Sequence, residues 1–107
     1  MANTYKNAKV DLTTTNATTV LTTPVGSTNI IKSILASEDS GNADTITLTI
    51  TDTASAVFSL FKVKAVSANT TVELLTQPLV LQDSEILKAT AATANRLHLV
   101  VSYLEIS

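Results

Sequence analysis

The sequence of 107 residues has no cysteine and no tryptophan, and it contains only two glycines and one histidine. The absence of cysteine excludes disulfide bonds and thiolate metal ligands. Two glycines cannot build the glycine-rich loop that cradles phosphate groups. Aromatic residues make up 4% of the chain and do not alternate with basic ones, so we expect no platform for stacking nucleic acid bases.

Charged residues are also scarce, at 15% of the chain compared with about 25% in a typical globular domain. The formal net charge of −2 provides no basic surface for nucleic acid or for a membrane. No segment approaches the ~18 apolar residues of a membrane span, and the N-terminus has no apolar run of signal-peptide length. We therefore expect synthesis in the cytoplasm without a signal peptide, no cofactor, and neither nucleic acid nor membrane as a partner.

Alternation of apolar and polar residues is the dominant pattern of the chain. In Thr45–Asp52 (TITLTITD) isoleucine and leucine alternate with threonine, which is the period of a β-strand. Asn29–Ser37 (NIIKSILAS) fits a buried strand or a short helix, and the β-branched residues at its start favour the strand. Further alternating segments are Ala8–Thr13, Thr18–Thr22, Ala56–Ala65 and Arg96–Ile106.

Turn-forming residues separate these segments roughly every 8–12 residues. Pro24–Ser27 is predicted to be a turn, and Glu38–Asp44 (EDSGNAD) is predicted to close a hairpin. About eight short strands without a convincing helix indicate an all-β, single-domain antiparallel β-sandwich over residues 1–107. Jelly-roll and immunoglobulin-like Greek-key topologies both fit, because the connections near Pro24 and Val66 are long enough to cross between sheets.

The most patterned stretch is Thr71–Ala89 (TVELLTQPLVLQDSEILKA). Its two short apolar runs flank Pro78, which cannot donate to a sheet ladder and so belongs at an edge, a bulge or a strand start. The acidic turn Asp83–Glu85 follows the second run. We expect this stretch to join the two sheets around Pro78 and to present the acidic turn.

The sequence offers little for catalysis or for metal binding. His98 is the only histidine and lies in an apolar strand, and no strained nucleophile turn accompanies it. We therefore interpret His98 as a surface or interface residue and expect that the protein is not an enzyme. Weak candidates for a calcium site are Glu38, Asp39 and Asp44, which surround Gly41. They lack the spacing of a calcium-binding EF-hand loop, and a solvated loop explains them as well.

Adjacent apolar residues put apolar groups on both faces of several strands, although only one face of each sheet in a sandwich is inside. In Ala56–Ala65 we expect Phe58 and Leu60 to face the core, which leaves Phe61 and Val63 on the opposite face. The surplus apolar groups predict contact with another protein and a homo-oligomer. The interface candidates are Ile31, Leu35, Phe61, Leu75, Val80 and Val100.

Three segments also resemble small structural proteins of tailed bacteriophages. They are MANTYKNAKVDLTTTNATTVLTTPVGSTNIIKSILASEDSG, FKVKAVSANTTVELLTQPLVLQDSEILKA and the terminal VVSYLEIS. Members of that group begin Met-Ala-Asn-Thr, reach a Pro-x-Gly turn, and continue into an isoleucine-rich strand. Their acidic turn usually reads Gly-Asp, where this chain has Asp83-Ser84-Glu85.

The resemblance implies a non-enzymatic virion component and supplies no site residues. We expect a capsid decoration or cement protein that contacts the major capsid protein. One alternative is a tail, neck or fibre-attachment protein. Another, from a different class, is a ligand- or glycan-binding β-sandwich module.

Overall fold

A computed structural model describes residues 2–107, which form nine strands and no helix. The strands are β1 (Asn3–Leu12), β2 (Thr18–Thr22), β3 (Thr28–Glu38), β4 (Asp44–Thr51), β5 (Val57–Val66), β6 (Thr71–Glu73), β7 (Leu79–Leu81), β8 (Ile86–Ala91) and β9 (Leu97–Ile106).

The strands form two antiparallel sheets. Sheet I has the order β1-β9-β3, and the short strands β6 and β7 follow one another along the outer edge of β3. Sheet II has the order β2-β8-β4-β5. The predicted antiparallel sandwich is therefore confirmed.

The pairing of the strands identifies the topology. β1 pairs with β9, β2 with β8, β3 with β6 and β7, and β4 with β5, so the chain forms one long hairpin. The hairpin closes at residues 52–56, where the Asp52 carboxylate accepts backbone N–H groups of Ala54 and Ala56 at 2.9 Å each. It is rolled so that β9 also pairs with β3 and β8 with β4. This arrangement is the jelly-roll, one of the two predicted alternatives.

The core lies between the sheets and follows from the alternation. Ile46 and Leu48 of β4 and Leu99 of β9 are fully buried. Each such side chain contributes about 1.5–3 kcal/mol relative to an exposed one. The threonines between the apolar residues of β4 lie on the outer face of sheet II and are half-buried.

The prediction that Glu38–Asp44 closes a hairpin is wrong. β3 belongs to sheet I and β4 to sheet II, so residues 39–43 cross from one sheet to the other. The turn-forming residues of this loop indicated where the strand ends. They carried no information about the partner of the next strand.

The predicted face of Phe61 is also wrong, because Phe61 pairs with Leu48 and packs against the core. Phe58 shares the inner face with its partner Ile50, as predicted, but it is 56% exposed at the end of sheet II. Two register shifts in the β4–β5 pairing, together with a positive φ of 54° at Val63, interrupt the alternation of β5. β5 is an edge strand, and its exposed Lys62 and Lys64 discourage pairing with another sheet.

The stretch Thr71–Ala89 crosses between the sheets at a different place from the one predicted. β6 and β7 both pair with β3, and Pro78 precedes β7 on this free edge, where its missing N–H costs no ladder bond. The crossing to sheet II occurs at residues 82–85, between β7 and β8.

Candidate functional site

Glu38 holds together the end of the sandwich where the loops 39–43 and 67–70 meet. Its side chain is 1% exposed, at the last position of β3. The carboxylate accepts the Ser40 N–H at 2.9 Å and the Gly41 and Asn69 N–H groups at 3.1 Å each. The Ser40 hydroxyl also donates to it. Glu38 therefore ties both crossing loops to sheet I.

These contacts decide the ionisation of Glu38. Burial alone would raise its pKa, but the hydrogen bonds from the Ser40 hydroxyl and from three backbone N–H groups lower the pKa to about 2. The carboxylate is consequently charged in the folded protein at neutral pH. Both of its carboxylate oxygens accept hydrogen bonds from the loops, so the role of Glu38 is structural.

The other two acidic residues of this loop region do not converge on Glu38. Asp44 is buried at the start of β4 and accepts the Thr93 N–H at 3.1 Å, while Asp39 is exposed. Among residues 2–107, no group of three or more histidine, cysteine, aspartate or glutamate side chains is placed to hold a metal ion. The weak calcium candidates are thus dispersed.

Asp83 performs the equivalent structural task at the opposite end. Its carboxylate accepts the Gly26 N–H at 2.8 Å and the Ser84 hydroxyl at 2.6 Å, and these two bonds lower the pKa of Asp83. Gly26 has a positive φ of 83°, as the predicted turn requires. The acidic turn therefore fastens the β7–β8 connection to the β2–β3 turn.

His98 lies on the outer face of sheet I. Its Nε2 is 3.3 Å from a carboxylate oxygen of Asp11, and its Nδ1 is 3.7 Å from one of Asp39. Ser37 lies opposite His98 on the neighbouring strand β3. Both ring nitrogens thus face carboxylates, and the Ser37 hydroxyl accepts a hydrogen bond from the Thr71 hydroxyl at 3.2 Å, so Ser37 and His98 do not form the hydrogen-bonded pair of a nucleophile and its base.

The outer face of sheet I carries a continuous apolar row. The strand registers place Tyr5, Leu104, Ile30 and Val80 directly beside one another on β1, β9, β3 and β7. Opposed residues of antiparallel strands share a face, so their side chains form one line across the sheet. Tyr5 and Val80 at the two ends are 75% and 51% exposed. We call these four residues the apolar row.

A second row, nearer the Glu38 end, has an apolar centre and charged ends. Its members in the same strand order are Lys9, Val100, Leu35 and Glu73. Val100 and Leu35 are 36% and 37% exposed. The Glu73 carboxylate accepts the Ile34 N–H at 2.8 Å, which fixes its negative charge at the edge of the sheet. We call this set the charged-end row.

Three of the predicted interface candidates, Leu35, Val80 and Val100, lie in these two rows. Ile31 does not, since it is fully buried in the core, and its prediction is wrong. The reason is a register shift between Ile31 and Ser33, which turns Ile31 inward.

The two remaining candidates, Phe61 and Leu75, are partly buried against the core. They line a crevice of about 190 Å³ where the edges of the two sheets meet, together with Leu60, Leu74, Pro78 and Leu79. They do not join the outer face of sheet I, so the six candidates do not form one surface.

Sequence reasoning missed Tyr5 because the start of β1 shows no alternation, and it missed Lys9 because an exposed lysine on the polar face of a strand is ordinary. It missed Ile30, Leu104 and Glu73 because their importance depends on strand pairing, which the sequence does not display. The adjacent apolar residues in β3 and β9 were the available signal. They indicated that an outer face is apolar without indicating its pattern.

Comparison with protein-family models matches no family, and searches of curated proteins and of solved structures find no significant match. Within residues 2–107, no helix is long and apolar enough to cross a membrane.

Proposed function

We propose that this protein is a structural component of a tailed-phage virion, and specifically a decoration or cement protein of the capsid. Jelly-rolls occur in viral shell proteins, lectins and cupins alike, so the fold does not distinguish these functions. The resemblance of the sequence to small phage structural proteins supports the virion. The observation that carries the proposal is the exposed apolar outer face of sheet I, which indicates a protein that works by assembling with other protein chains.

That face has the composition of a contact surface. The apolar row continues across four neighbouring strands, and a contiguous apolar patch on the solvent side of a sheet is typical of a contact site. The carboxylates that could serve chemistry, Glu38 and Asp83, are instead engaged with backbone N–H groups of loops. An exposed contact surface together with carboxylates that only hold loops is consistent with a protein that acts by adhesion.

The proposal is tested by counting this chain in purified particles of the phage that encodes it, by quantitative mass spectrometry against the major capsid protein. A decoration protein gives a copy number that matches the shell lattice. A number that matches a tail or neck ring favours the tail alternative, and absence from the particle overturns the virion assignment.

A further inference from the structure

We propose that the outer face of sheet I is the contact surface between two copies of this chain, related by a two-fold axis that runs parallel to the strands. The occupant of the apolar face is then a second copy. The dimer does not depend on the virion assignment. Its bridging role, described below, rests on the proposed function.

The symmetry follows from the order of the strands. A two-fold axis that lies in the interface, between β9 and β3, exchanges the β1 edge of one copy with the β6–β7 edge of the other. Each cross-strand row stays at its own height along the axis. Every row therefore meets the same row of the partner, in reverse order.

The charged-end row of one copy is complementary in charge to the same row of the second copy, which it meets in reverse order. Reversal places Lys9 of one copy over Glu73 of the second copy, and it does so twice because the axis is two-fold. Val100 and Leu35 then face each other in the centre. Opposite charges at the rim and apolar groups in the middle are the usual anatomy of a protein interface.

The apolar row also matches the apolar row of the second copy, which it meets in reverse order. Tyr5 at the β1 edge lies over Val80 of the second copy, and Leu104 lies over Ile30. The one charge that the arrangement brings close to the axis is Lys32, which is exposed at the bulge of β3. Lys32 should therefore limit the affinity of the dimer.

The size of the face sets the expected strength. Four strands about 4.8 Å apart and some 30 Å long present roughly 500 Å² per copy. Two copies bury roughly 1,000 Å², which is less than the ~1,200–2,000 Å² of stable interfaces and is typical of weak, transient ones. We expect a dimer that forms at micromolar concentration and dissociates on dilution.

The direction of the axis has a consequence for bridging. Rotation about an axis parallel to the strands keeps both copies pointing the same way. The loops at the Glu38 end of the two copies thus lie side by side at one end of the dimer. If the protein is a cement protein, this end presents two identical surfaces to two neighbouring shell subunits.

The first test is charge reversal with the full chain, measured by sedimentation velocity. Lys9→Glu should weaken self-association by about tenfold, because like charges replace two attractive rim pairs. Glu73→Lys should weaken it by at least as much. An equimolar mixture of the two variants should recover association. In the mixed dimer the introduced glutamate meets the introduced lysine at one rim, and the unchanged Lys9 meets the unchanged Glu73 at the other.

A second test covers the case in which Glu73→Lys does not fold, since the Glu73 carboxylate accepts hydrogen bonds from the Ile34 and Leu75 N–H groups and from the Ser33 hydroxyl. Val80→Asp places a charge in the apolar row and should abolish dimers. Val57→Asp is the matched control, because Val57 is 62% exposed but lies on β5 of sheet II, and it should leave the dimer intact. Lys32→Ser should tighten the dimer.

A wild-type chain that sediments as a monomer at all micromolar concentrations would overturn the proposal. Equal association of the Val80 and Val57 variants would also overturn it. Neither result affects the copy-number test of the virion assignment, and absence from particles leaves the dimer test unchanged.

Discussion

The outer faces of the two sheets differ although their inner faces are built alike. Sheet I presents the apolar row and the apolar centre of the charged-end row to its outside. Sheet II presents the threonines of β4 and a row that consists of Thr19, Lys88, Thr49 and Ser59, and its exposed valines, Val57 and Val63, lie on the edge strand β5. The centre of the outer face is thus apolar in sheet I and polar in sheet II.

In the proposed dimer, folding and binding use separate residues of the same strand. On β9, Leu99 and Val101 are fully buried, whereas Val100 between them is 36% exposed and contributes little to the core. On β4 the equivalent outward positions are threonines, which suit a pleated surface without requiring burial. Substitutions can therefore test the two faces independently.

The largest expected effect comes from the inner faces, where the two sheets should behave alike. Leu99→Ala in sheet I and Leu48→Ala in sheet II each remove a fully buried side chain from the shared core. Each should lower the free energy of unfolding by about 2–5 kcal/mol. Urea denaturation measures this. A loss well below this range for either variant would contradict the placement of that side chain in the core.

Glu38 should give the next largest effect, and its effect should depend on pH. Its folded pKa of about 2 lies below the ordinary value of 4.5, so its stabilising contribution is present above pH 4.5 and disappears as the pH falls towards 2. Glu38→Gln should lower the urea midpoint at pH 7. Because the variant cannot ionise there, its midpoint should differ less between pH 7 and pH 3 than that of the wild type. An equal pH dependence would contradict this role.

Exchange of the outer residues should move association from one sheet to the other with little change in stability. Val100→Thr should weaken self-association through sheet I. Thr49→Val should create apolar surface on sheet II and promote self-association through that sheet. Each should change the free energy of unfolding by about 0.5 kcal/mol or less, as surface substitutions usually do. Light scattering and urea denaturation on the same samples separate the two effects.

The smallest expected effect is that of Asp83→Asn, at the end of the sandwich remote from Glu38. The variant keeps an acceptor for the Gly26 N–H but loses the charge that strengthens this bond. We expect a small decrease in melting temperature at pH 7 that vanishes at low pH, where the wild-type carboxylate is protonated. A decrease as large as that of Glu38→Gln would mean that both ends of the sandwich are equally important.

The strands could be predicted from the sequence because their alternation is local. Thr18–Thr22 was predicted with the bounds that the structure shows, and Thr45–Asp52 differs from β4 by one residue at each end. The partners of the strands could not be predicted in this way. Pairing depends on distant segments, so the jelly-roll remained one of two alternatives and the loop after Glu38 was taken for a hairpin.

The candidate surface could be predicted only in part, for a related reason. Adjacent apolar residues identified Leu35, Val80 and Val100, but bulges in β3 and β5 reversed the expected faces of Ile31 and Phe61. A bulge adds one residue to a strand and shifts every later side chain to the other face. The sequence around Lys32 contains no turn residue and no change in composition that would indicate the bulge in β3.

The long rolled hairpin also has a consequence for how the chain folds. Among residues 2–107, β4 and β5 are the only consecutive strands that pair with each other, while β1 must find β9 across the whole sequence, so that Asn3 pairs with Ile106. Folds dominated by such distant pairs fold in milliseconds to seconds. We expect the Asp52 turn to form first, and Asp52→Ala to slow refolding in stopped-flow measurements more than it speeds unfolding. The termini would then be the last parts of the chain to come together.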